Sequence, residues 1–182
     1  FGVPNYLGFH IRYICGVLES RGIAYDYVTV DQWRIRNKNK RNNNSKSYSI
    51  DFSEFDGLVI LAGAVVPGKY IRGTPLSSRE INQVISEANL GTPILCGGWA
   101  IRQWRYHGWA PLSEDIFCCV QDTDASLNHF LDTGIWENRK RSPEQWSLWA
   151  HYGARSKAVS QHPDLLLEEG SPGPLTFEVE LY

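Results

Sequence analysis

Two hydrophobic periods alternate along this chain. From Tyr6 to Ser20, apolar residues fall at helical spacing (Leu7, Ile11, Ile14, Cys15, Leu18), and Gly22 supplies a stop. Ile23 to Val30 (IAYDYVTV) is aromatic and β-branched and predicts a strand. Gly57 to Gly63 (GLVILAG) is a short continuous apolar run, the pattern of a central parallel strand buried on both faces. Ser77 or Ser78 can cap the next helix, with Glu80 in its first turn. That helix carries Ile81, Val84, Ile85 and Ala88 on one face and ends at Gly91. Pro93 to Cys96 (PILC) predicts another buried strand, closed by Gly97-Gly98. A short aromatic helix over Ala100 to Trp109 follows, then a strand over Ile116 to Val120 (IFCCV) and a helix over Ala125 to Leu131, closed by Gly134.

Regular alternation of buried strands and helices predicts an α/β fold: an open, mainly parallel, doubly wound sheet of the Rossmann or flavodoxin kind. The pattern changes after Gly134. Ser142-Pro143-Glu144 is a helix start, with Ser142 as cap and Pro143 at the first position. Trp146, Trp149, Ala150 and Gly153 give that helix one packing face, and His162-Pro163 ends the segment. Leu175 to Tyr182 (LTFEVELY) then alternates apolar and polar, as a half-buried strand does. The expected organisation is a Rossmann-like domain over 1–134, a helical connector over 135–174, and a strand over 175–182. That strand is expected to open a further domain whose partner strands lie outside the chain. The chain contains no methionine, even at position 1; it is expected to lack its natural first segment.

Composition narrows the function classes only broadly. Hydrophobic residues make up 42% and charged residues 21%, values ordinary for a soluble globular protein. A net charge of −2 gives no global pull toward nucleic acid or anionic lipid. No apolar run approaches the roughly 20 residues that span a bilayer, and the N-terminus has no signal-peptide layout. A cytoplasmic protein without nucleic-acid or membrane partners is expected. Cys15, Cys96, Cys118 and Cys119 form no CxxC and lie in apolar stretches, so buried free thiols in a reducing compartment are expected.

Ligands of open α/β sheets sit beyond the C-terminal strand ends. Three loops qualify: Ala62 to Gly73, Gly97 to Trp99, and Gln121 to Asp124. Gly63, Ala64, Gly97, Gly98 and Asp122 are the candidate cofactor-binding residues of that crevice. Two consecutive glycines admit either a ligand or a tight turn that packing requires. Asp122 and Asp124 could contact a ribose or amide, but as residues before a helix they read better as N-caps. Arg34, Arg36, Lys38, Lys40, Arg41 and Lys46 form a basic run without acids, read as a solvated loop rather than a phosphate patch because interleaved aromatics are sparse. Trp99, Trp104, Trp109 and Tyr106 crowd one segment, as a pocket wall or as a domain interface. The five histidines show no metal spacing, although His10 could face the crevice. There is no GxGxxG, no P-loop, no Ser/His/Asp arrangement and no carboxylate pair for hydrolysis.

Several short patches, in order, carry a family likeness. They are Gly2-Val3-Pro4, Tyr6-Leu7-Gly8, Arg12-Tyr13-Ile14 and Gly16, then Thr29-Val30-Asp31-Gln32-Trp33-Arg34. Gly97-Gly98, Gly153-Ala154, Gln161-His162-Pro163 and Pro174 to Tyr182 continue the series. The chain resembles the N-terminal portion of the radical SAM proteins with a B12-binding-like domain, the Fe–S oxidoreductases common in archaea. The resemblance implies a cobalamin-binding-domain-like Rossmann fold followed by a partial TIM-type barrel in the same polypeptide, its main partner. It implies that cysteines of the barrel hold a [4Fe–4S] cluster and S-adenosylmethionine, and that Cys15, Cys96, Cys118 and Cys119 do not. This chain would be inactive alone, an accessory domain that binds a cofactor or substrate, or that shapes the barrel mouth without a ligand. The family's cobalt-ligating DxHxxG is absent, and His10 does not replace it. A corrinoid would then sit in a histidine-off mode around Gly97 and Gly98, under the loop from Ala64 to Tyr70.

Overall fold

A computed structural model describes residues 4–28, 30, 32–35, 51–62, 76–106, 108 and 116–154. Helix α1 spans Pro4–Ser20. Gly22 follows at a φ of 65°, the left-handed conformation that ends helices, and Ile23 donates its N–H back to the Leu18 carbonyl at 3.0 Å. The strand expected over Ile23 to Val30 is not formed. Residues 23–28 carry no strand, and the chain is helical at residue 30 and at 32–35. The aromatic alternation is used against a helix instead of a sheet: Tyr25 and Tyr27 pack on Ile11 and Cys15 of α1, together with Leu61. The Tyr25 hydroxyl donates to Glu19 at 2.7 Å. Burial, with a smaller push from Cys15, holds the Tyr27 phenol above its ordinary range.

A short 3-10 turn, Phe52–Glu54, precedes strand β1 (Leu58–Leu61). Helix α2 (Ser78–Ser86), strand β2 (Ile94–Gly97), helix α3 (Trp99–Tyr106) and strand β3 (Ile116–Cys118) follow. Helices α4 (Thr123–Thr133) and α5 (Pro143–Ala154) complete the described chain. Ser77, rather than Ser78, caps α2: its hydroxyl takes the Glu80 N–H while the Glu80 carboxylate takes the Ser77 N–H.

The strands form a parallel sheet in the order β1-β2-β3. Leu58 pairs with Ile94 and Ile94 with Ile116, so the strands run in step. All four residues of β2 are buried, which makes Ile94–Gly97 the centre of the described sheet. The GLVILAG run, expected to be central, occupies its edge, and three of the four β1 residues are only half-buried.

Alternation sorts the side chains between two layers. Ile60, Ile94, Cys96 and Ile116 face Trp33, Phe52, Ile81 and Val84 of α2, and Ala100 and Ile101 of α3. Val59, Leu61, Leu95 and Phe117 face α1, α4 and α5 through Tyr13, Ile14, Val17, Ala125, Leu127, Trp149 and Ala150. Helices therefore cover both faces of a parallel sheet, a doubly wound α/β arrangement.

The helix within the expected connector packs directly on α1. A Cβ on Gly16 would stand 2.7 Å from the Trp149 carbonyl carbon, and one on Gly153 would stand 2.8 Å from that of Arg12. Each helix thus offers a glycine to the backbone of the other, and the two axes come closer than side chains would allow. After α4 the chain is pinned by Trp136, which stacks on Phe130 at 3.7 Å and on Phe117 at 5.5 Å. Among the described residues no helix is long and apolar enough to cross a membrane. The terminal strand expected over Leu175 to Tyr182 lies outside the described residues.

Candidate functional site

The C-terminal ends of the strands are where the fold would place a ligand. Ala62, the residue after β1, gives its N–H to the Gly97 carbonyl at 2.8 Å. The Ala62 carbonyl accepts the N–H of Ala100 at 3.0 Å, so one of the open donors at the start of α3 is already used. Gly98 adopts a φ of 100°, reversing the chain from β2 into α3 within one residue. Gly97 answers a different need. A Cβ there would stand 2.6 Å from Thr123 Cγ2. The bare face of Gly97 is therefore covered by the first residue of α4, and its close approach is to another part of the same chain. Gly63 and Ala64 lie outside the described residues, as do the loop to Tyr70 and most of the basic run. Arg34, the described member of that run, is not in a solvated loop: its guanidinium makes a two-bond contact with Glu80, at 2.8 and 3.0 Å.

Beyond β3, the segment from Asn138 to Arg141 folds back over the strand end. Asn138 Oδ1 takes the Val120 N–H at 2.9 Å, and the Arg139 carbonyl takes the Asp122 N–H at 3.2 Å. Asp122 stands at the N-cap position of α4, yet its carboxylate makes no capping bond. It accepts the Arg141 N–H at 2.8 Å instead, which corrects the capping role expected of it. Asp124 is buried in the first turn of α4 and pairs with Arg141, Nε to Oδ2 at 2.5 Å and Nη2 to Oδ1 at 3.0 Å. Burial pushes the Asp124 carboxyl up, against the pull of the arginine. The Arg141 guanidinium also lies over the Tyr13 ring, 3.9 Å from its centre, and the Tyr13 hydroxyl accepts a hydrogen bond from the Trp146 indole. Neither Arg141 nor Tyr13 was singled out by spacing as a partner of this strand end. An arginine just before a Ser-Pro helix start was the one local hint.

The cysteines fall into three environments. Cys15 lies beneath Tyr25 and Tyr27. Cys119 faces α4, where its sulfur is 3.3 Å from the Ser126 hydroxyl. Cys96 and Cys118 are register partners on β2 and β3, on the face covered by α3. The neighbouring Cys118, helped by burial, raises the Cys96 thiol; Cys96 in turn lowers Cys118, opposed by burial and aided by the Arg105 charge. None of the four is in a disulfide. This separation does not suit a [4Fe–4S] cluster, which takes converging thiolates. Among the described residues no group of three His, Cys, Asp or Glu side chains converges as a metal site.

Trp99 and Trp104 sit on α3, but their side chains are outside the described set, as are Trp109 and the side chain of His10. Tyr106 projects into solvent. His129 lies 3.3 Å from Glu137 at the surface, away from the strand ends.

No family model matches the chain, and no solved structure matches it. Two archaeal proteins do. An uncharacterized protein of Methanocaldococcus jannaschii is 28% identical over 175 residues, covering 90% of this chain and 30% of that protein. An uncharacterized protein of Archaeoglobus fulgidus is 29% identical over 165 residues, covering 90% of this chain and 27% of that protein. The chain therefore spans less than a third of the length of the curated relatives it matches.

Proposed function

We propose that this chain is the accessory Rossmann-like domain of a larger radical SAM iron–sulfur protein, one that packs on the catalytic barrel and shapes its mouth without a ligand of its own. The observation that carries the ligand-free part is the contact between Gly97 and Thr123. Where a corrinoid or nucleotide would lie against the glycine backbone, the domain has placed its own helix. The strap from Asn138 to Arg141 closes the neighbouring strand end in the same way. The greater length of the archaeal relatives supports the larger polypeptide. In this reading the cluster and S-adenosylmethionine belong to the barrel, and four cysteines outside any disulfide suit a cytoplasmic setting.

Anaerobic reconstitution with iron and sulfide tests the reading. The full-length Methanocaldococcus relative is expected to take up a [4Fe–4S] cluster whose electron paramagnetic resonance changes on adding S-adenosylmethionine. This chain alone is expected to take up none. No cluster on the relative, or a stoichiometric cluster on this chain, overturns the assignment. A band shift and co-elution of hydroxocobalamin with this chain would instead overturn the ligand-free part alone.

A further inference from the structure

Cys96 and Cys118 have a chemistry that an accessory packing domain does not require. They are directly paired across the parallel ladder between β2 and β3. In-register neighbours on adjacent strands lie about 4.8 Å apart, within the Cα separation that a disulfide spans. Both side chains leave the same face of the sheet, toward Ala100 and Ile101. Each thiol shifts the other: Cys118, with burial, pushes Cys96 up, and Cys96 pulls Cys118 down. Their exposure differs: Cys96 is fully buried, while Cys118 is partly open to solvent. After Cys96, and against burial, the charge of Arg105 in the last turn of α3 also lowers the Cys118 thiol. Cys119, next in sequence, points to the opposite face and is held by Ser126. A partly open cysteine, with a sheltered one opposite it on the next strand, is the arrangement of an attacking thiol and its resolving partner.

We infer that Cys118 and Cys96 form a peroxide-reactive dithiol, with Cys118 the site of oxidation and Cys96 the residue that resolves it. The Cys118 thiolate attacks the terminal oxygen of a hydroperoxide. The O–O bond breaks, the Cys118 S–O bond forms, and the alkoxide or hydroxide leaves to take up a proton. Cys96 then attacks the sulfenic sulfur. A Cys96–Cys118 disulfide forms, and the displaced hydroxyl leaves as water with the Cys96 proton. The two thiols lose two electrons in all, and the peroxide gains them. Arg105 favours the thiolate and the departing anion. The inference does not depend on the radical SAM reading, since it uses only the sheet and α3.

Hydrogen peroxide at a small excess over the purified chain, followed by non-reducing peptide mapping, is the test. A Cys96–Cys118 cross-link that dithiothreitol reverses is expected, with Cys15 and Cys119 still reduced. In Cys96→Ser, dimedone should trap a sulfenic acid at Cys118; in Cys118→Ser, neither product should form. Arg105→Gln, a change at an exposed residue, should slow cross-linking several-fold while leaving the circular dichroism spectrum unchanged. Oxidation that begins at Cys15 or Cys119 would overturn the inference. So would wild-type thiol loss no faster than that of the urea-unfolded chain, which needs no variant to fold.

Discussion

Thr123 fills the space where Gly97 has no side chain, so the end of the central strand is sealed by the start of α4. The contact decides how the Gly-Gly pair is read. Gly97→Ala should destabilise the chain by about 1–3 kcal/mol, the usual range for overpacking a tight site. Adding Thr123→Ala should recover part of that loss, because two of the three atoms in the way belong to the Thr123 side chain beyond its Cβ. Urea unfolding of the two single variants and the double variant measures the coupling.

Gly16 and Gly153 make a stronger demand, because the atoms they admit are backbone and cannot turn aside. Gly16→Ala and Gly153→Ala should each cost about 1–3 kcal/mol by thermal melting. Both substitutions force the same pair of helices apart. The double variant should therefore cost less than the sum of the two.

The Asp124–Arg141 pair should show the asymmetry of buried ions. Asp124→Asn or Arg141→Met alone leaves an uncompensated polar group inside the fold and should cost about 3–5 kcal/mol. Asp124→Leu combined with Arg141→Met removes both charges and should come within about 2 kcal/mol of the parent in chemical unfolding. A double variant as unstable as the singles would show that the Tyr13 stacking and the Arg141 strap matter more than the charges.

Glu80 gives the sign of an acid transition. Its hydrogen bonds from Arg34 and from Ser77 hold the carboxyl at about 2. A carboxyl depressed in the folded state contributes stability that is complete above its ordinary range and lost as pH falls toward about 2. Glu80→Gln should flatten that part of the pH–stability curve. It should also cost about 1 kcal/mol near neutrality, a modest figure because both partners are partly solvated.

Much of the fold was legible because its signals are local. The PILC run was fixed as buried by its lack of any polar residue, Ser77 and Glu80 announce a helix start, and Gly22 and Gly134 mark helix ends. The IAYDYVTV segment misled because period-2 aromatics satisfy either a ladder or an apolar helix face. Only α1, lying alongside, decides between them. The strand-end site was less legible for the same reason. Gly97 reads alike whether a cofactor or Thr123 approaches it. Asp122 reads as a cap until Arg141, distant in sequence, takes its carboxylate. Neither partnership leaves a trace in spacing.

The parallel order β1-β2-β3 has a consequence for how the chain reaches this state. No two of these strands can zip together as a hairpin, since each ladder joins segments separated by a whole helix and its loops. Folding must close long loops before any ladder rewards it, so high contact order sets its speed. Until α2 and α3 have docked, the apolar stretch around Leu95 stays open to other chains in the cell.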